Sequence, residues 1–101
     1  MRESQVATAL KRRLELAGCD WRRVEWISRH SCPDFYTLLT PRMSRIWGFP
    51  RNPWVETKRP TKDANEAQAR EHTRMRDAGD IVLVIRDIET LDKWFPVEGI
   101  I

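Results

Sequence analysis

The pattern of apolar and polar positions along the chain predicts seven elements. In residues 3–18, Val6, Leu10, Leu14 and Ala17 form one stripe at helical spacing, with Lys11, Arg12 and Glu15 on other faces. Gly18 is a natural stop for this first helix. Val24 to Arg29 reads as a short strand, Val24 and Trp26 facing one way and Glu25 and Ile27 the other, and Ser31-Cys32-Pro33 interrupts it. Asp34 to Thr40 is rich in β-formers and reads as a second strand. Pro41, Gly48, Pro50 and Pro53 make residues 41–53 a loop or an irregular hairpin end. Trp54 to Lys58 is a third strand, and Arg59-Pro60-Thr61-Lys62 is a turn. Residues 63–78 form a second helix, with Ala64, Ala67, Met75 and Ala78 on its inner side and Gly79 ending it. Ile81 to Ile85 is an unbroken apolar run, as expected of a strand covered on both faces, and Ile88 to Phe95 reads as a short final helix.

A meander of three strands followed by a helix crossing to a fourth strand gives a mixed sheet with helices packed against it. At 101 residues the chain fits one domain spanning 1–101. Hydrophobic residues at 41% and charged residues at 33% exclude a disordered chain. No apolar run approaches a membrane span, and Met1-Arg2-Glu3-Ser4 leads into a charged amphipathic segment rather than a signal peptide. A cytosolic (cytoplasmic) protein without a membrane partner is therefore expected, with Cys19 and Cys32 as free thiols. Together with His30 and His72 these cysteines lack the paired spacing of a zinc site.

Charge adds a hint about partners. The formal net charge is +3, and arginine supplies 14 of the 18 basic residues. Its planar fork donates two parallel hydrogen bonds to a phosphate, so the composition permits a nucleic-acid partner without requiring one.

The chemistry lies in Pro33-Asp34 and Glu56-Thr57-Lys58. On a strand Glu56 and Lys58, two positions apart, point the same way, and Asp34 opens the neighbouring strand. If those strands pair, two carboxylates and an ammonium converge at one sheet end. A hard cation such as Mg²⁺ needs oxygen ligands: the Asp34 and Glu56 carboxylates, with the Thr57 backbone carbonyl as a third. Lys58 would orient the attacking water or stabilise developing negative charge. Taken singly each motif has a plainer reading, since Glu-x-Lys on an exposed strand is a same-face ion pair and Asp after Pro is a turn residue.

The order of elements around these motifs resembles the VRR-NUC domains, a branch of the PD-(D/E)xK nuclease superfamily. The resemblance covers residues 3–95 and rests on Glu3-Ser4, Ser31-Cys32-Pro33-Asp34, Trp54-Val55-Glu56-Thr57-Lys58-Arg59-Pro60, Gln68 with Glu71-His72, and Ala78-Gly79 before Ile81-Val82-Leu83-Val84-Ile85. It implies an α/β, restriction-endonuclease-like αβββαβ core with a four-stranded mixed sheet flanked by helices. It implies Asp34 and Glu56 as metal ligands, Lys58 as catalytic, and Gln68 as a polar helix residue leaning into the site. Glu3 would help hold a metal or its water. Mg²⁺ or Mn²⁺ would be the cofactor, with no organic cofactor, and DNA the partner. Similarity to the stand-alone viral and phage members implies a homodimer acting on branched or duplex DNA in replication, repair or recombination. Where family members often carry a glycine before Pro-Asp, this chain has Cys32.

Arg42, Arg45 and Arg51, interleaved with Trp47 and Phe49, are candidate DNA contacts, as are Arg59 and Lys62. The two aromatics read better as residues tucked onto the sheet. His72, one turn after Gln68, is a candidate acid or base, although a histidine on such a face commonly serves as a structural hydrogen-bonder. The rival function is a non-catalytic DNA-binding or assembly subunit on the same fold.

Overall fold

A computed structural model describes residues 2–26, 32–58 and 65–100, with the Glu3 side chain also outside the described set. The elements are α1 (Glu3–Leu16), β1 (Asp20–Arg23), β2 (Phe35–Leu38), α2 (Pro41–Trp47), β3 (Trp54–Thr57), α3 (Glu66–Asp77), β4 (Val82–Ile85) and α4 (Ile88–Trp94). The four strands form one sheet in the order β1-β2-β3-β4. The first three pair antiparallel, and β4 pairs parallel to β3 after the α3 crossover. This is the mixed α/β sheet expected from the sequence.

The apolar stripe of α1 does what its spacing predicts: Val6, Leu10 and Leu14 are buried against the sheet. In-register neighbours Phe35, Val55 and Leu83 present one sheet face to it, and Leu91 and Phe95 close the same core. Each such side chain contributes roughly 1.5–3 kcal/mol by leaving water. Arg13 ties α1 to α4, donating to the Phe95 carbonyl at 2.6 Å and pairing with Asp92 at 2.9 Å. Trp47 stands edge-on to Phe95 at 5.1 Å and donates its indole N–H to the Pro96 carbonyl. Phe49 is buried against the same ring, so both aromatics are core residues.

Three local expectations are corrected. Residues 41–47 are helical, not loop. The Thr40 hydroxyl accepts the Met43 N–H at 3.1 Å, Pro41 occupies the first turn, and Gly48 closes the helix at φ 77°. Proline and glycine act here as start and stop signals rather than breakers, and burial of Met43 anchors the turn between them.

Second, β1 lies at Asp20–Arg23, four residues earlier than expected. It is an edge strand whose Asp20, Arg22 and Arg23 are exposed, so it carries no hydrophobic alternation to read. Pairing runs one residue further, since the Val24 N–H donates to the Asp34 carbonyl at 2.9 Å. Residues 27–29, the rest of the expected strand, lie outside the described residues.

Third, the inner face of α3 is not built from alanines. Glu71, His72 and Met75 are buried, Ala67 is half-buried and Ala78 is exposed, while Ala64 is outside the described residues. A polar inner face is needed because α3 lies against the sheet face that carries Glu56. No helix among the described residues is long and apolar enough to cross a membrane.

Candidate active site

Asp34 stands just before β2, and the register pairing Phe35 with Val55 sets it across from Glu56 of β3. Asp34 Oδ1 accepts the Thr57 backbone N–H at 3.3 Å and Oδ2 accepts the Thr57 hydroxyl at 3.2 Å. A strand residue directs its N–H and C=O to the same neighbour, so the Thr57 carbonyl also lies on the Asp34 side. Thr57 and Glu56 are both buried. Burial, and then the charge of Glu56, push the Asp34 carboxyl up to about 6, against the pull of the Thr57 hydrogen bonds. Among the described residues no lysine or arginine forms a salt bridge with either carboxylate.

The ladder continues past β3, where the Lys58 N–H donates to the Ile85 carbonyl at 2.9 Å. Strand alternation therefore extends to Lys58 and sets it on the Glu56 face. Gln68 approaches Glu56 from α3. Its backbone N–H donates to Asn65 Oδ1 at 2.9 Å and its Oε1 accepts the Asn65 N–H at 3.0 Å, a capping box that fixes the start of the helix. The remaining end of the same amide, Nε2, donates to Glu56 Oε1 at 3.5 Å. His72, one turn on, brings Nε2 to 3.9 Å from that same oxygen.

A cleft of about 230 Å³ opens beside Asp34, lined by Ser4, Ala7, Arg23, Phe35 and Thr57. Among the described residues no three His, Cys, Asp or Glu side chains converge as a metal site. A cation here would rest on two carboxylates and neutral oxygens, an oxygen-only set suited to a hard ion that retains water.

No family model matches the sequence, and no curated protein matches it. A solved structure described as a VRR_NUC domain matches the fold with a TM-score of 0.78 and 26% sequence identity, over 95% of this chain and 96% of that one. The chain is similar in fold to that VRR_NUC domain over nearly its whole length.

The basic residues of this chain fall at two ends of the sheet. Arg42, Arg45 and Arg51 belong to the connection that leaves the end of β2 and enters the start of β3. Asp34 precedes β2 and Thr57 ends β3, so those arginines stand one strand length away, about 13 Å for four residues. Arg42 donates to the Gly99 carbonyl at 3.0 Å, Arg45 is exposed in the last turn of α2, and Arg51 lies beside Gly79. At the carboxylate end stands Arg23, paired with Phe35 across β1 and β2, its guanidinium 6.0 Å from the Phe35 ring centre. Lys11 reaches over the same ring at 5.4 Å.

Sequence reasoning missed Arg23 because it placed the first strand too late. Reading the pairing back from Asp34, with Arg23 opposite Phe35, would have found it. Glu3 opens α1 directly before Ser4 of the Asp34 cleft, but its side chain, with Arg59, Lys62 and His30, lies outside the described residues. Cys32 sits before Pro33-Asp34 without backbone strain, since no described residue other than glycine has a positive φ.

Proposed function

We propose that this chain is a nuclease of the VRR-NUC type, a divalent-metal-dependent endonuclease that hydrolyses DNA phosphodiester bonds. The observation that carries the reading is the juxtaposition of the half-buried Asp34 and the buried Glu56, two carboxylates with no lysine or arginine partner among the described residues. Placing two like charges together in a dry site is costly unless a cation joins them. Burial and the neighbouring Glu56 charge hold the Asp34 carboxyl above its ordinary value, a cost that a bound cation would relieve.

Asp34 and Glu56 would hold Mg²⁺ or Mn²⁺, with the Thr57 carbonyl as a third oxygen. Such an ion, when bound, supplies an activated water and neutralises charge on the phosphate. The Thr57 N–H and hydroxyl fix the Asp34 carboxylate, and Gln68 holds Glu56 from α3. Lys58, sharing the Glu56 face, orients the water and stabilises the charge that develops on the phosphoryl oxygens. Arg23 and Lys11 flank the cleft beside Asp34 and supply positive charge where a backbone phosphate would approach. The reading includes a homodimer, the arrangement that brings two such sites to one branched or duplex DNA. Sedimentation as a monomer at working concentration removes that part.

The test is incubation of purified protein with linear, supercoiled and branched DNA in Mg²⁺, Mn²⁺ or EDTA. Cleavage in either metal and none in EDTA is expected. Binding that is indifferent to metal, with no cutting of any substrate, would assign the domain to non-catalytic DNA binding or assembly. Preference for a matched RNA would change the substrate class.

A further inference from the structure

The inner face of α3 carries a polar atom that the site described above leaves unused. His72 is 2% exposed, and among the described residues its Nε2 has no hydrogen-bond partner. Buried polar groups are almost always bonded, so an orphaned one calls for a physical reason. Glu56 Oε1 stands 3.9 Å away, beyond hydrogen-bond range. Gln68, four residues earlier on the same helix face, reaches that oxygen only at 3.5 Å. Two donors from successive turns thus converge on one carboxylate oxygen, and both fall short of good bonding distance.

We propose that His72 is a positioning residue for Glu56, donating its Nε2–H to Oε1 once a divalent cation engages the carboxylates. This rests on the metal-binding reading of Asp34 and Glu56. Glu56 would help hold the ion, and His72 and Gln68 would fix that carboxylate from the α3 side. A neighbour that donates to a ligand's far side fixes its orientation, and its loss commonly weakens metal binding by roughly 10–100-fold. The role needs a neutral imidazole protonated at Nε2. It involves no proton transfer, which separates it from general acid or base catalysis.

The test is Mn²⁺ binding to the full chain without DNA, by calorimetry and by electron paramagnetic resonance. His72→Leu keeps the volume and removes the donor. His72→Gln returns an N–H₂ close to the position of Nε2. The expected result is Mn²⁺ binding about 10-fold weaker or worse in His72→Leu, largely restored in His72→Gln. Wild-type affinity in a folded His72→Leu would overturn the proposal and make His72 a core residue. Failure of the wild-type chain to bind Mn²⁺ would overturn the metal reading and this inference together. Should His72→Leu not fold, nitrogen-15 spectra of the wild-type imidazole during Mg²⁺ titration decide. A protonated Nε2 that becomes hydrogen-bonded on Mg²⁺ addition is expected, and an Nε2 unchanged at saturating Mg²⁺ overturns the role.

Discussion

Asp34 accepts both the backbone N–H and the hydroxyl of Thr57, at 3.3 and 3.2 Å, yet its carboxyl is pushed up to about 6 by burial and by the charge of Glu56. Two hydrogen bonds normally pull a carboxylate down, so burial and like charge outweigh them here. Because the folded value is raised, the folded state binds the proton more tightly than the unfolded chain. Stability therefore falls as pH rises from about 4 to about 6, and the penalty of the ionised Asp34 is complete above that window.

Asp34→Asn removes this penalty while keeping groups that can bond Thr57. Thermal melts should show Asp34→Asn more stable than wild type at pH 7 without metal, with the gap closing towards pH 4. Added Mg²⁺ should raise the melting temperature of wild type and leave Asp34→Asn unmoved, since only a chain that binds the ion is stabilised by it. Equal melting of the two chains at pH 7 would mean that Asp34 is not strained.

Gln68 holds two jobs that substitution can separate. Asn65→Ala removes the cap alone, whereas Gln68→Ala removes the cap's return bond and the contact with Glu56. Both should lower stability by about 1 kcal/mol. Only Gln68→Ala should slow metal-dependent cleavage, by about 10-fold or more. Equal cleavage by the two variants would reduce Gln68 to a capping residue.

The two arginine groups make opposite predictions for substrate contact. Arg23 stands beside the Asp34 cleft, whereas Arg45 stands at the far end of the strands. Arg23→Ala should weaken binding to a short duplex and reduce the salt dependence of binding by about one phosphate contact. Arg45→Ala should matter less on a short duplex and more on one long enough to reach both ends. Anisotropy titrations across salt concentrations measure both effects. An unchanged slope for Arg23→Ala would place the DNA elsewhere.

Much of the fold was legible because its interior is periodic. Val6, Leu10 and Leu14 announce α1, and the run ending at Ile85 announces β4. Asp34, Glu56 and Lys58 were readable as a set because strand alternation turns sequence spacing into shared faces. Other parts left no periodic trace. β1 is an exposed edge strand of charged residues, so its position depends on pairing with β2 rather than on its own pattern. α2 is one short helix held by Thr40, Pro41 and Gly48, residues that also mark turns. The buried polar face of α3 breaks the rule that apolar residues point inward. Gln68 and His72 face Glu56 where an ordinary helix would place alanine or leucine.

The central claim is that Asp34, Glu56 and Lys58 form a metal-dependent nuclease site. The most direct measurement compares wild type with Lys58→Ala for DNA binding and for cleavage, in Mg²⁺ and in EDTA. The account predicts that Lys58→Ala binds DNA and Mg²⁺ much as wild type does, while cleavage drops by at least about 100-fold, as expected when a group that stabilises transition-state charge is lost. Cleavage by Lys58→Ala at the wild-type rate would contradict the account.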